Sequence, residues 1–304
     1  MKRSGGSGRP TGARHASPGV PKLPARKRFG QHFLEPAWVS KLLAVIRPDP
    51  DELFVEIGPG NGQLTLPIAA CGAQVVAVEV DRDRATSLGR IAPPHVQVIT
   101  GDILTQDLAE LVAAAAGSHG SRPVRVVANL PYNLSSPILF QLLTAQRTHR
   151  CFRDATLMLQ REVADRIVAA PGSRTYGPLA ILTRVAADAE RVFTVPPGAF
   201  RPPPRVRSAV VTLRFRSPPV TIADHALFEQ LVRRLFTLRR KTLLNAFGPF
   251  ASTVSTVSPR ELLDRAGLAS ERRPETLDLV DLATLAETLR VSLGDSASSR
   301  PVLQ

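Results

Sequence analysis

The tetrapeptide Asn129-Leu130-Pro131-Tyr132 combines residue types that can bind a planar base carrying an exocyclic amine. The Asn129 amide oxygen and a neighbouring backbone carbonyl can accept the two amine hydrogens. Tyr132 can stack on the ring, as aromatic side chains do with a base that is flipped out of a helix. The apolar run 124–128 predicts a buried strand just before the tetrapeptide, at whose carboxyl end open α/β sheets bind ligands. Asn and Pro are also common in turns, and by itself the tetrapeptide fits an ordinary turn equally well.

A glycine-rich segment and two acids follow other predicted strands. Residues 58–62 read Gly-Pro-Gly-Asn-Gly, and glycines at such a position let a ligand approach the backbone closely. Gln63 replaces the third glycine of a dinucleotide fingerprint, and no phosphate-loop Lys follows. Glu79 ends the second strand, where an acid can bind both hydroxyls of a ribose, and Asp102 can hydrogen-bond an adenine amine. These features predict an adenosine-type cofactor, and S-adenosylmethionine fits better than a nicotinamide because no base for hydride transfer is evident.

The composition favours a polyanionic partner. The 304-residue chain has a formal net charge of +13, and residues 1–28 carry eight Lys and Arg with no acid. Such an excess favours nucleic acid over a membrane surface, because no basic amphipathic helix is evident. No apolar stretch approaches the roughly 18 to 20 residues of a membrane span, and no secretory signal is evident.

The N-terminal segment and the cysteines carry little functional information. Residues 1–25 are rich in Gly, Ser, Pro and Arg and are expected to be a disordered basic tail, with a cleaved transit peptide as the alternative. Cys71 and Cys151 have no Cys-x-x-Cys or His-rich neighbourhood. We therefore expect free thiols in a cytoplasmic protein and no metal site.

Strands and helices alternate as far as residue 215, which predicts an α/β fold with a parallel sheet and helices on both faces. The predicted strands are 53–57, 74–80, 96–99, 124–128, 155–159 and 209–215. The predicted helices are 36–46, 63 onward, 83–91, 108–116, 136–143, 162–169 and 179–187, and then 224–238, 242–247, 259–266 and 279–292. The proline-rich run 196–204 predicts a stiff loop without regular structure. The last four helices predict a small C-terminal helical domain.

Six ordered segments resemble the ribosomal RNA small-subunit adenine N6-dimethyltransferase family, over about residues 26–290. They are KRFGQHFL at 27–34, VEIGPG at 55–60, NLPYN at 129–133, LQREV at 159–163, FRPPPRV at 200–206 and RRKTL at 239–243. The resemblance implies a Rossmann-like class I methyltransferase sheet in a domain spanning 26–217. It also implies a helical RNA-binding domain at 218–292, followed by a disordered tail at 293–304.

The resemblance implies that S-adenosylmethionine is the cofactor and assigns residues to its site. The implied cofactor contacts are His32, Leu34, Gly58, Glu79, Asp102 and Asn129. Most relatives carry Asn where this chain has His32, and an imidazole can also donate or accept a hydrogen bond. The implied catalytic residues are Asn129, Leu130 through its carbonyl, Tyr132 and Phe200. In this arrangement Phe200 stacks on the target adenine opposite Tyr132; without the resemblance, Phe200 is expected to anchor its loop on the core.

The resemblance also implies the reaction and the partner. The expected reaction is dimethylation of two adjacent adenines in a 3′-terminal hairpin of 16S rRNA, in the immature 30S subunit and in the cytoplasm. We expect a monomer that contacts RNA through Arg239, Arg240 and Lys241, on a helix of the second domain, although these residues also fit a solvated helical face. Two alternatives remain: a large-subunit rRNA adenine methyltransferase that confers antibiotic resistance, and a non-catalytic RNA-binding or assembly factor with the same fold.

Overall fold

A computed structural model of the chain describes residues 24, 26, 31–116 and 123–298. The tail expected at 1–25, apart from Pro24, lies outside the described residues, as do residues 27–30 of the first resembling segment. The helix at the C-terminus continues to Ser298, into the segment 293–304 for which we expected no order, and the rest of that segment also lies outside. No helix among the described residues has both the length and the apolar character needed to cross a membrane.

Nine strands and eleven α-helices are formed within the described residues. The strands are β1 (Phe33–Leu34), β2 (Leu53–Ile57), β3 (Gln74–Glu79), β4 (Val96–Thr100), β5 (Val124–Asn129), β6 (Phe152–Gln160), β7 (Ala187–Val195), β8 (Phe200–Arg201) and β9 (Ser208–Phe215). The helices are α1 (Pro36–Ile46), α2 (Thr65–Ala70), α3 (Arg82–Gly89), α4 (Leu108–Ala116), α5 (Ser135–His149), α6 (Arg161–Ile167), α7 (Pro178–Ala186), α8 (His225–Thr237), α9 (Leu243–Val254), α10 (Pro259–Arg265) and α11 (Leu279–Ser298).

Seven of the strands form one sheet in the spatial order β4-β3-β2-β5-β6-β9-β7. The first five are parallel, and β9 runs antiparallel to both β6 and β7. The sheet is therefore mixed, and β9 is the strand that departs from the parallel arrangement predicted by the alternation of strands and helices. Helices α4 to α7 pack on one face and α1 to α3 on the other, as predicted. Since β2 and β5 are covered on both faces, they are almost continuously apolar.

Sequence patterning missed strand β7. Its sequence is largely polar or exposed, and the register with β9 shifts between Arg191 and Phe193, which interrupts the alternation of side chains. The short strand β8 was missed as well, because it lies within the proline-rich run that we expected to be irregular. It pairs antiparallel with β1, placing Leu34 opposite Phe200. This pairing fixes the N-terminal segment to the proline-rich loop.

The C-terminal helices enclose their own hydrophobic core, which extends onto α7. Phe228, Leu231 and Phe247 are buried there together with Ala180 and Ile181 of α7. The expected RNA-binding residues 239–241 lie in the turn between α8 and α9, which corrects the prediction that they lie on a helix.

Arg125 interrupts the apolar sequence of β5, yet its side chain is only 9% exposed. Its guanidinium donates to Asp154 at 2.9 Å and to Glu52 at 2.7 Å. It also donates to the Arg47 carbonyl and lies over the Phe54 ring. Arg125 therefore joins the amino-terminal end of β5 to both neighbouring strands. It reaches β6 through Asp154 and the residue before β2 through Glu52.

Replacing Arg125 with Ala should destabilise the protein by about 2 to 4 kcal/mol, because Glu52 and Asp154 would keep partly buried charges after losing a shared partner. Urea unfolding, monitored by circular dichroism, measures this change in unfolding free energy. Arg166 on α6 is exposed, and Arg166→Ala is the matched control, expected to change the unfolding free energy by less than about 0.5 kcal/mol. Equal effects of the two substitutions would contradict a role for the Arg125 ion pairs.

Candidate functional site

A cavity opens at the carboxyl ends of β2, β3 and β5, where the strand order changes direction and open α/β sheets bind ligands. Its lining includes the N-terminal residues 31–34 and the glycine-rich segment after β2. The lining residues are Gln31, His32, Phe33, Leu34, Val39, Glu56, Gly58, Pro59, Gly60, Gln63, Leu64, Glu79, Val80, Asn129, Leu130, Pro131, Tyr132 and Met158.

The glycine-rich segment exposes its backbone to this cavity. Gly58 has φ +69°, and no atom lies within 4 Å of the point where a Cβ would project. Gly60 also has a positive φ, and a Cβ there would meet the Phe33 ring at 3.0 Å. These positions favour glycine because of their conformation, and at Gly58 the missing side chain leaves room for a ligand.

Glu79 is 4% exposed at the end of β3, and both of its carboxylate oxygens are hydrogen-bonded. One accepts from the Gly60 amide at 2.9 Å and the other from the Asp81 amide at 2.9 Å. Burial raises the pKa of Glu79, whereas these two amide donors lower it. The bond to Gly60 holds the acid against the glycine-rich segment, and each oxygen keeps a second lone pair for a hydroxyl donor.

Glu56 is a cavity residue to which sequence reasoning gave no separate role. It is the fourth of the five residues of β2, is 2% exposed, and accepts a hydrogen bond from the Thr65 hydroxyl at 2.6 Å. Burial raises its pKa to about 7; the Thr65 bond lowers it, and the nearby charge of Glu79 raises it. An acid within a strand that is otherwise entirely apolar was the available sequence signal.

Side chains from two other segments hold residues 31–34 in place. The Leu34 amide donates to Gln63 Oε1 at 3.0 Å, and Gln63 Nε2 donates back to the Leu34 carbonyl. Asn129 Nδ2 donates to the His32 carbonyl at 3.0 Å. Gln63, which stands where a dinucleotide fingerprint has its third glycine, therefore binds the N-terminal segment as a neighbouring strand would.

Arg84 on α3 connects the same segment to the acid-bearing loop after β3. Its side chain is 1% exposed, donates to Asn61 Oδ1 and to the Pro24 carbonyl, and lies over the Phe33 ring. Its guanidinium is 3.6 Å from Asp81. Burial lowers the pKa of Arg84, and the neighbouring acids oppose that shift. Sequence reasoning did not identify this residue, since nothing in a helix sequence distinguishes it from a surface arginine.

The tetrapeptide 129–132 lines the cavity and contains two hydrogen-bond acceptors, Asn129 Oδ1 and the Leu130 carbonyl oxygen. Donation by Nδ2 to the His32 carbonyl orients the Asn129 amide so that Oδ1 remains for another donor. The Leu130 amide donates to the Met158 carbonyl at 2.9 Å, which fixes the orientation of the adjoining peptide. Within the described residues, no donor is bonded to Asn129 Oδ1 or to the Leu130 carbonyl oxygen.

A buried hydroxyl fixes the ring of Tyr132. The Tyr132 hydroxyl lies 2.8 Å from Ser208 Oγ, and Ser208 is fully buried at the start of β9. Burial raises the pKa of Tyr132, and the Ser208 bond partly lowers it. The His32 ring stacks on Tyr132 with centroids 5.6 Å apart and an interplanar angle of 23°.

Two of the residues named from the sequence lie outside the cavity lining. Phe200 is 1% exposed and packs in the core with α1 and α2, as expected for a residue that anchors its loop. Its ring meets the His32 ring in an edge contact. Asp102 is exposed after β4 and accepts from the Leu104 amide at 3.0 Å, where it caps a short 3₁₀ helix.

The sequence model of the ribosomal RNA adenine dimethylase family matches residues 23–285 of this chain. Two curated relatives are called ribosomal RNA small subunit methyltransferase A. The one from Xylella fastidiosa (Temecula1) is 39% identical over 267 residues, covering 86% of this chain and 95% of that protein. The one from Methylibium petroleiphilum is 43% identical over 267 residues, covering 87% and 96%.

Two solved structures are similar over most of the chain. A dimethyladenosine transferase from Plasmodium falciparum has a TM-score of 0.71 at 23% identity, covering 86% of this chain and 98% of that chain. The 23S rRNA methyltransferase ErmE has a TM-score of 0.61 at 25% identity, covering 85% and 99%. The fold is the class I methyltransferase fold, which the sequence predicted.

Glu56 should make the stability of the ligand-free protein depend on pH. The native state holds a proton on Glu56 up to about pH 7, whereas the unfolded chain releases it near 4.5. The stability that this proton contributes is complete below pH 4.5 and is lost as the pH rises through about 7. Glu56→Gln should therefore be more stable than wild type at pH 8, by about 2 to 3 kcal/mol, and no more stable near pH 4.5.

Urea unfolding of both proteins across this pH range measures the difference. Glu190→Gln, which changes an exposed acid on β7, controls for the loss of a surface charge. A Glu56→Gln advantage that is independent of pH would contradict the assignment.

Proposed function

The chain belongs to the ribosomal RNA adenine dimethylase family, and from this premise we propose that it dimethylates two adjacent adenines in a 3′-terminal hairpin of 16S rRNA. It is an S-adenosylmethionine-dependent rRNA adenine dimethyltransferase. We propose further that its substrate is the immature 30S subunit, that it acts in the cytoplasm, and that it works as a monomer. The observation that carries this proposal is the pair of acceptors, Asn129 Oδ1 and the Leu130 carbonyl, beside the cofactor cavity.

The cavity suits an adenosine-type cofactor bearing a positive charge. The space at Gly58 admits a ligand against the backbone, and Glu79 has lone pairs for ribose hydroxyls. Glu56 and Glu79 give the cavity two buried acids, which suit the positive charges of S-adenosylmethionine. His32 and Leu34 would contact the cofactor from the N-terminal wall. Asp102 would reach the adenine amine only if its side chain left the Leu104 amide.

The acceptor pair would orient the target amine. Asn129 Oδ1 and the Leu130 carbonyl would each accept one amine hydrogen, which holds the nitrogen at a fixed distance and angle. Tyr132, fixed by Ser208, would stack on the ring and set its plane. Phe200 would face the base from the side opposite Tyr132 only if its ring left the core, where it is 1% exposed.

The chemistry demands alignment more than proton transfer. When bound, S-adenosylmethionine supplies an electrophilic methyl group on a sulfonium sulfur. The adenine amine is a weak nucleophile because its lone pair is delocalised into the ring. Bonds to Asn129 and Leu130 favour a tetrahedral nitrogen, the geometry of the transition state. The amine proton becomes acidic only after transfer, so no strong base is needed beside the nitrogen.

RNA contacts are proposed at the turn between α8 and α9. Arg240 and Lys241 are exposed, and no partner for either side chain is found in the described part of the chain. Arg239 is engaged differently: it forms an ion pair with Glu275 at 2.7 Å and donates to the Arg174 carbonyl. We therefore assign phosphate contact mainly to Arg240 and Lys241, with Arg239 shaping the turn.

Two comparisons bear on the alternative functions. The small-subunit relatives are 39% and 43% identical, whereas the large-subunit enzyme ErmE is 25% identical. This difference favours the small subunit as the substrate. A non-catalytic factor would have no use for the acceptor pair beside buried Glu79, so we favour the enzyme.

Wild-type protein, incubated with methyl-labelled cofactor and 30S subunits that lack the dimethyl mark, should label two adjacent adenines. Asn129→Ala should lower this rate by about a hundredfold or more, because it removes an acceptor that orients the amine. Cofactor binding, measured by calorimetry, should remain detectable. Asn245→Ala removes an exposed amide on α9 and serves as the control.

The possible outcomes separate the alternatives. Label on the large subunit would indicate the resistance-type enzyme, and no label on either subunit would indicate a binding factor. Near-normal turnover by Asn129→Ala would contradict the assignment of amine orientation to Asn129.

Charge reversal of Arg240 and Lys241 to Glu should weaken binding to immature 30S subunits by about tenfold or more, while cofactor affinity stays unchanged. The dependence of log K on log salt should become less steep by about 1 to 2, since two phosphate contacts are lost. Filter binding at several salt concentrations measures both quantities. Reversal of the exposed Arg90 and Arg166 is the matched control, and equal weakening by the two double variants would exclude a specific contact at the turn.

A further inference from the structure

The His32 imidazole contacts both aromatic residues of the proposed base-binding site. It stacks on Tyr132 and meets Phe200 edge to face, with centroids 6.5 Å apart and an interplanar angle of 77°. Its Nδ1 lies 2.8 Å from the carbonyl oxygen of Pro202, in the loop that follows Phe200. The backbone of the same residue accepts the hydrogen bond from Asn129.

These contacts resemble what a target base would make. A flat nitrogen heterocycle lies nearly parallel to Tyr132, and one ring nitrogen is hydrogen-bonded to the protein. An adenine stacked on this face of Tyr132 would need the space that the imidazole fills, because stacked rings have to approach to van der Waals contact. The side chain and the base cannot occupy this face together.

We propose that the His32 side chain occupies the place of the target adenine on Tyr132 and leaves when the base enters. This inference rests on the proposed function, in which Tyr132 stacks on the target. His32 is then a positioning residue of the base-binding site that competes with the base, so that its ring lowers the apparent affinity for RNA.

The structure allows the side chain to move without the backbone. The His32 carbonyl is held by Asn129, and the next residues are held by Gln63 and by pairing with β8. Among the described residues, the imidazole is held by one hydrogen bond and by ring contacts, and it is partly exposed. Rotation about the side-chain bonds releases the ring and leaves the cofactor wall in place.

The test measures KM for unmethylated 30S subunits, kcat and the cofactor dissociation constant in His32→Ala and His32→Phe. His32→Ala should lower KM for the subunits by about fivefold, the worth of one aromatic contact. His32→Phe keeps a ring on Tyr132, so its KM should stay at or above the wild-type value. His95→Ala, which removes an exposed histidine bonded to the Ala69 carbonyl, is the control.

Three results would overturn the proposal. A KM that rises in His32→Ala and recovers in His32→Phe would mean that the imidazole stacks on the base instead of yielding to it. Weaker cofactor binding with an unchanged KM for the subunits would place the side chain in the cofactor site alone. Unchanged KM, kcat and cofactor dissociation constant in both variants would show that the imidazole influences neither RNA binding nor cofactor binding.

A separate variant tests the premise. If Tyr132→Ala methylates at the wild-type rate, Tyr132 does not stack on the target and the proposed base-binding site fails. If Tyr132→Ala is impaired while His32→Ala gives any of the three contrary results, only the inference about His32 fails.

Discussion

The backbone of residues 31–34 crosses the carboxyl edge of the sheet, and its polar groups have to be hydrogen-bonded there. Gln63 bonds both polar groups of Leu34, Asn129 bonds the His32 carbonyl, and β8 supplies the strand partner. These partners come from three segments that are remote in sequence. The wall of the cofactor cavity, the orientation of the Asn129 amide and the position of the proline-rich loop all follow from these bonds.

The same arrangement explains why a charged cluster lies buried beside the cavity. Arg84 is fixed by Asn61 and Phe33 and lies near Asp81, so its charge is compensated without exposure to water. Glu79 is bonded to backbone amides, whereas Glu56 has the Thr65 hydroxyl and a pKa raised to about 7. The cavity thus contains acids whose ionised forms are disfavoured by burial. A positively charged ligand would favour the ionised forms of Glu56 and Glu79. Binding of the cofactor would therefore be coupled to the release of a proton from these acids.

Sequence predicted the elements whose pattern is local. Strands β2 and β5 are apolar except for Glu56 and Arg125, and the tetrapeptide that begins at the last residue of β5 lines the cavity at the carboxyl edge of the sheet. Strand β7 was missed because an edge strand with exposed polar residues and a register shift has no clear period. The partner of Arg239 was not foreseeable, since Glu275 meets it only through tertiary packing. Long-range contacts of this kind carry no local signal.

The two parts of the cavity to which we assign the base and the cofactor differ in charge, and the proposed reaction accounts for the difference. The acids Glu56 and Glu79 lie in β2 and β3, whereas the target amine would meet only neutral acceptors, Asn129 Oδ1 and the Leu130 carbonyl. Methyl transfer moves positive charge from sulfur to the amine nitrogen. Fixed neutral dipoles stabilise that developing charge as it forms. A carboxylate in place of these neutral acceptors would already attract the sulfonium in the ground state. An attraction that is equally strong in the ground state and in the transition state does not accelerate methyl transfer.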